Sequence, residues 1–239
     1  MRIDLFVTPQ EIPLFYTKGR RVVVVDVLRA GTSLSFALHA GVEQVIPVDS
    51  VEGAKQLQAT LDRATSLLAG EQDGAKVAGF DLGNSPREFQ DPSLKGKTVL
   101  YALLSGPSLL TRSMEAVEKL LLSFVNMGAL VRYLAAKEDA ELTIICGGHD
   151  GRFAMEDMVA AGMLIDLLGK GESELLNDGA RAAWILYLAH RRDLAGMIRE
   201  SAAGRALIEQ GMEEDLDASI RLDAVDLVPV AREGRVTPA

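Results

Sequence analysis

The sequence predicts an α/β fold, a three-layer α/β/α arrangement around a mostly parallel sheet, and three observations lead there. Runs such as "RVVVVDVL" (21–28) and "ELTIICGG" (141–148) are apolar without alternation, as strands buried on both faces are. They alternate with segments of helical apolar spacing, the pattern of strand-helix-strand crossovers. Polar, glycine-bearing loops leave two of the strands, at "DVLRAGTS" (26–33) and "CGGHDGRFAMED" (146–157), where open parallel sheets place their ligands.

The elements follow in order. After 21–28 come the helix-spaced "SLSFALHAGV" (33–42) and a strand, "QVIPV" (44–48), giving a β-α-β unit. The stretch 50–70 has helical spacing with Gly70 as its stop. "KTVLYALL" (97–104) reads as a strand, "PSLLTRSMEAVEKL" (107–120) as a helix opened by Pro107, and "LLSFV" (121–125) as a short strand. "NMGALVRYLAAK" (126–137) is a helix and 141–148 a strand closing on glycines. In "MEDMVAAGMLIDLL" (155–168) Asp166 is the lone polar residue from Met158 onward, so this helix is buried nearly all round. The last third is helix-rich and finishes with an edge strand, "AVDLVPV" (224–230). No linker interrupts 1–239, which reads as a single domain. Its units near 22–40 and 141–168 suggest two similar halves.

Composition narrows the function. With 239 residues, 48% of them hydrophobic, the chain can bury a large core. A net charge of -9 and the lack of a basic run exclude nucleic acid as the main partner. There is no signal-peptide pattern at the N-terminus and no run of about 18 apolar residues, so neither export nor a membrane span is expected. The single Cys146 excludes an internal disulfide and suits the cytoplasm. A homodimer stays open.

Three loops carry chemistry. Asp26 ends a strand, Arg29 follows, and Thr32 and Ser33 open a helix: a carboxylate for a metal, a guanidinium for an anion and a helix N-terminus for phosphate oxygens. The plainer alternative is an Asp26–Arg29 ion pair with Thr32 or Ser33 as an N-cap. In 146–157, Cys146 and Arg152 have the spacing of Cys-dependent phosphatases, in which the loop amides (here those of Gly147 and Gly148) hold phosphate; alternatively Cys146 is a small apolar strand residue. Glu156 and Asp157 open a buried helix, where they would need a cation or donors, although acids are also favoured there by the helix dipole. The stretch 67–89 offers Glu71, Asp81, Asn84 and Ser85 among glycines, as ligands or as a self-satisfied Ω-type loop.

In their order and spacing, "VVDVLRAGTS", "LAGEQDG", "GFDLGNSPREF", "SFVN" and "CGGHDGRFAMED" resemble the 2-phosphosulfolactate phosphatase family, often called ComB, and the similarity extends to the tail "GMEEDLDASIRLDAVDLVPV". The resemblance implies a Mg²⁺-dependent phosphatase of coenzyme M biosynthesis on a ComB-like three-layer fold. Its partner would be (2R)-phospho-3-sulfolactate or a similar small anionic phosphoester, hydrolysed to the hydroxy acid and phosphate. Carried over position by position, Asp26, Arg29, Glu71, Asp81, Asn84, Ser85, Asn126, Glu156 and Asp157 match polar positions of the family's motifs, and of these Asp26, Glu71, Asp81, Glu156 and Asp157 are expected as metal carboxylates. The expected catalytic set is Asp26, Arg29, Asp81, Glu156 and Asp157, and Arg29, Asn84, Ser85 and Asn126, with Thr32, Ser33, Gly147 and Gly148 from the loop reading, are expected to hold substrate. Two departures stand out. "YALLSGPS" (101–108) replaces a Thr-rich run ending Thr-Asn-Gly-Thr, and Glu71-Gln72 replaces a Glu-Arg pair. They keep open a non-catalytic member that binds a small anion, beside the Cys146/Arg152 alternative.

Overall fold

The computed structural model describes residues 1–13, 15–72, 74–102, 115–137 and 139–239. In chain order its main elements are β1 (Arg2–Phe6), β2 (Arg21–Val25), α1 (Ala30–His39), β3 (Gln44–Val48), α2 (Val51–Gln58), β4 (Ser66–Gln72), β5 (Ala75–Lys76), β6 (Thr98–Ala102) and β7 (Glu118–Leu122). There follow α3 (Met127–Ala135), β8 (Glu141–Cys146), α4 (Met155–Leu167), α5 (Asp178–His190), α6 (Leu194–Glu200), α7 (Ala202–Glu209), α8 (Glu213–Ser219), β9 (Pro229–Arg232) and β10 (Arg235–Pro238).

The strands form one mixed sheet, ordered β1-β8-β2-β7-β9-β10-β3-β6-β4-β5. β1, β8, β2 and β7 run parallel, as do β3, β6 and β4. The β9–β10 hairpin joins these blocks through antiparallel pairings to β7 and to β3. Three reversals along β7-β9-β10-β3 make the two parallel blocks run in opposite senses.

Burial follows the apolar runs. Val23 and Val25 of β2 pack with α3, α4 and α5 on one face, while Val22 and Val24 face the other. α1 covers the second face, its Leu34, Phe36 and Leu38 packing with Val45, Val99, Leu121 and Val236. The result is the expected three-layer α/β/α fold. α4 is buried from Glu156 through Ile165, as its composition predicts. Among the described residues no helix is long and apolar enough to cross a membrane.

Four elements differ from the sequence expectation. The helix expected over 50–70 ends at Gln58, and 66–72 is strand β4. Ser50 caps α2, an Asp62 turn follows, and the parallel ladder to β6 recruits Leu67, Leu68 and Ala69 regardless of their helical spacing. Gly70 lies inside that strand with φ 153, where a Cβ would stand 2.8 Å from the Ala102 carbonyl oxygen. In the helix expected over 107–120, residues 107–114 lie outside the described residues and 118–120 belong to β7, in register with β2. The tail strand is central rather than at an edge, with Pro229 and Pro238 at strand ends where no ladder amide is needed. β1, unmarked by alternation, is recruited by β8.

Candidate active site

The site begins where β2 ends. Asp26 follows the strand, and its carboxylate accepts the amides of Ala30 and Gly31, the first residues of α1. Gly31 is needed for this turn, because a Cβ there would lie 2.2 Å from the Asp26 carbonyl oxygen. The helix N-terminus is thus met by the protein's own carboxylate. Thr32 and Ser33 sit within the first turn, fully buried, and donate to the Val27 and Asn84 carbonyls.

Asp157, in the first turn of α4, receives the Val27 amide on Oδ1 and the Gly148 amide on Oδ2, both at 2.9 Å. It therefore ties the loops after β2 and β8 together. Loss of hydration pushes its carboxyl well above the ordinary range, and Asp26 and Glu156 add repulsion. Asp26 is pushed up to about 6, mainly by loss of hydration, with Glu71 and Glu156 contributing. Glu156 is 3% exposed and its carboxylate makes no hydrogen bond to any described residue. Asp26, half-buried, thus stands near the buried Glu156 and Asp157, with Glu156 opposing the ionisation of both aspartates and Asp26 that of Asp157.

Beside it lies a hydrogen-bonded chain drawn from five parts of the fold. Tyr101 on β6 donates to Asn84 Oδ1, and Asn84 Nδ2 donates to Glu71 Oε1 at 3.0 Å. Glu71 Oε2 accepts from Arg29 Nη2, while Arg29 Nη1 donates at 2.7 Å to Asp215 Oδ2 on α8. The chain ends with Ser85 Oγ donating at 2.5 Å to Asp215 Oδ1. The Tyr101 hydroxyl is held well above its ordinary pKa by burial and by Glu71 and Asp26, so it stays a donor. Arg29, Asn84, Ser85 and Asp215 line a cleft of ≈ 300 Å³, joined by Lys76, Arg87 and Glu214. Three cations, Arg29, Lys76 and Arg87, share this lining with three carboxylates, Glu88, Glu214 and Asp215, so an anion bound here would compete with Asp215 for Arg29 and with Glu214 for Arg87.

A model of the family described as 2-phosphosulpholactate phosphatase matches residues 6–234. The chain belongs to this family. It is 35% identical over 219 residues to a probable 2-phosphosulfolactate phosphatase of Caldanaerobacter subterraneus subsp. tengcongensis, covering 92% of this chain and 90% of the relative. It is 35% identical over 238 residues to one of Carboxydothermus hydrogenoformans, covering 99% of this chain and 96% of the relative. A Microcystis aeruginosa relative of the same name is 32% identical over 235 residues, covering 98% and 97%.

Within this family member the structure brings together Asp26, Arg29, Glu71, Asn84, Ser85, Glu156 and Asp157. Other expected site residues serve elsewhere. Asp81 is gripped by Arg63 and by the Leu68 amide at 2.8 Å, so it anchors the 81–89 loop to β4 instead of reaching the acids. Asn126 is fully buried, bonded to the Leu121 carbonyl and the Ser123 amide, and shapes the turn before α3. The Gly147 amide belongs to Val25 and that of Gly148 to Asp157, which leaves neither to a phosphate. Arg29 pairs with Glu71 and Asp215, not with Asp26. Cys146 is wholly buried against Met158, its thiol pushed well above its ordinary range by burial and by Asp157 and Glu156, while Arg152 is exposed. A thiolate nucleophile is therefore disfavoured. The "YALLSGPS" departure falls mostly on 103–108, outside the described residues. Tyr101 and Asp215 went unread in the sequence. Tyr101 sat in an apolar strand run, and Asp215 was one acid among several in the tail, with only the family-like context of that tail to mark it.

For a divalent cation, among the described residues no three His, Cys, Asp or Glu side chains stand as a ready ligand group. The donor chemistry nevertheless fits a hard cation. Asp26 and Asp157 are carboxylates raised chiefly by loss of hydration, with Glu156 repelling both, and the Glu156 carboxylate lacks a hydrogen-bond partner among the described residues.

Proposed function

We propose that this chain is a Mg²⁺-dependent phosphatase acting on 2-phospho-3-sulfolactate or a closely similar small anionic phosphoester. The observation that carries the reading is the buried Arg29, which lines the cleft and is joined through Glu71 to the acids Asp26, Glu156 and Asp157. The names of its relatives support the substrate class. Asp26, Glu156 and Asp157 would hold the cation, with Glu71 at the boundary between cation and Arg29. A bound Mg²⁺ would neutralise these acids and polarise the phosphoryl group.

The chain's own residues do the rest. Arg29, with Lys76 and Arg87 at the rim, binds the anionic groups of the substrate. The Asn84 amide is aimed by Tyr101 and Glu71, and keeps the 81–89 loop closed on Arg29. Asp26 is raised to about 6 before any cation binds, so cation binding there would compete with a proton at mildly acid pH.

Phosphate release from 2-phospho-3-sulfolactate and from a panel of phosphorylated hydroxy acids, with Mg²⁺ and with EDTA, tests this. Turnover that EDTA abolishes and Mg²⁺ restores is expected. Phosphate-dependent thermal stabilisation with no turnover on any substrate would instead assign the chain to the anion-binding, non-catalytic class.

A further inference from the structure

α8 carries four carboxylates, and three of them turn outward. Glu213 and Asp217 pair with Arg199, and Glu214 pairs with Arg87 at the cleft rim. Asp215 alone points in. Its side chain is 7% exposed, and each of its oxygens is engaged by a cleft residue, Oδ2 by Arg29 and Oδ1 by Ser85. Arg29 is thereby held from two sides, Nη2 by Glu71 on β4 and Nη1 by Asp215 on α8. Because 32% of the Glu71 side chain is exposed, Asp215 is the buried half of this clamp. The same carboxylate ties down Ser85, so one side chain fixes both the cation and the 81–89 loop that form the wall of the cleft.

An acid in this place opposes an incoming anion by simple charge. Its use must be geometric: it freezes a long, rotatable guanidinium in one pose. We propose that Asp215 is a positioning residue that acts on the bound anion through Arg29, an inference that rests on reading the cleft as the phosphoester site. The docked helix α8 is thereby a working part of the cleft rather than a passive cover.

The experiment is a double-mutant cycle at a temperature well below every melting point. Phosphoester turnover is measured for wild type, Asp215→Asn, Arg29→Lys and the double variant, with Asp217→Asn as an exposed control on the same helix. Asp215→Asn should lower kcat about 10- to 100-fold, the loss that goes with a hydrogen bond to a charged group, while KM moves by less than about threefold. In the Arg29→Lys background the same change should alter kcat by less than about twofold, because the clamp no longer has a fork to hold. An equal loss in both backgrounds, or a lowered melting point with unchanged kcat, overturns the proposal. If wild type turns over no phosphoester, the phosphatase reading falls while the positioning role is still measured by the same cycle on the Kd of inorganic phosphate. A shift confined to the Arg29 background supports it, and an equal shift in both refutes it.

Discussion

Replacing Asp26 by Asn should stabilise the cation-free protein at neutral pH. Asp26 rises from an ordinary 3.8 to about 6 in the fold, first because burial strips its hydration and then because Glu71 and Glu156 repel it. The folded state therefore binds the proton more tightly than the unfolded chain. Stability falls as pH rises from about 3.8 to about 6, and the full deficit is present above that window. At about 1.4 kcal/mol per pKa unit the deficit is about 3 kcal/mol. The Asn side chain turns its NH₂ towards one of the two amide donors that met the carboxylate, which offsets about 1 kcal/mol. A net gain of about 2 kcal/mol corresponds to about 4 °C for a chain of this size. Thermal unfolding followed by circular dichroism in EDTA should show this gain at pH 7.5 and almost none at pH 4.5. Excess Mg²⁺ should reverse the order, raising the melting temperature of wild type but not of the variant. A variant that melts at or below wild type at pH 7.5 in EDTA would refute the reasoning, because it would mean that the ionised Asp26 is compensated by its surroundings.

Three further outcomes are expected. Arg29→Ala leaves Asp215 buried without its ion-pair partner. It should lower stability by about 3 kcal/mol, read from urea unfolding, and phosphate release by at least about 100-fold. Asp81→Ala strands the Leu68 amide and frees an exposed Arg63; a loss of about 1 to 2 kcal/mol with kcat within about twofold of wild type would place Asp81 in the scaffold, and a collapse of kcat at unchanged KM would return it to the site. Iodoacetamide at pH 8 should leave Cys146 unmodified in the native protein and label it once the protein is unfolded in urea, as mass spectrometry would show. Rapid labelling of the native protein would reopen the thiolate alternative.

Much of the architecture was legible in the chain because it rests on local pattern. "RVVVV" and "ELTIIC" are apolar at every position, which only a strand covered on both faces explains, and the apolar run after Met158 allows no solvent-facing helix. Asp26, Arg29, Glu156 and Asp157 were legible for a related reason. Polar residues at the ends of buried elements are expensive unless something meets them.

Other features were hidden because their causes lie far away in sequence. Leu67 to Ala69 keep helical spacing yet become strand, since β6 offers them a ladder. Asp81 and Asn84, three residues apart in one polar knot, part company: Arg63 draws one outward, while Tyr101 and Glu71 hold the other inward. Asp215 is indistinguishable from its acidic neighbours on α8 until the helix docks and turns that one carboxylate towards Arg29, which is 186 residues away along the chain. The sequence by itself determined the three-layer class, the family and the acids at the strand ends, because periodicity and burial act over a few neighbouring residues. Only the tertiary structure decided which polar groups are partnered, since hydrogen bonds and repulsion depend on distances that folding alone creates.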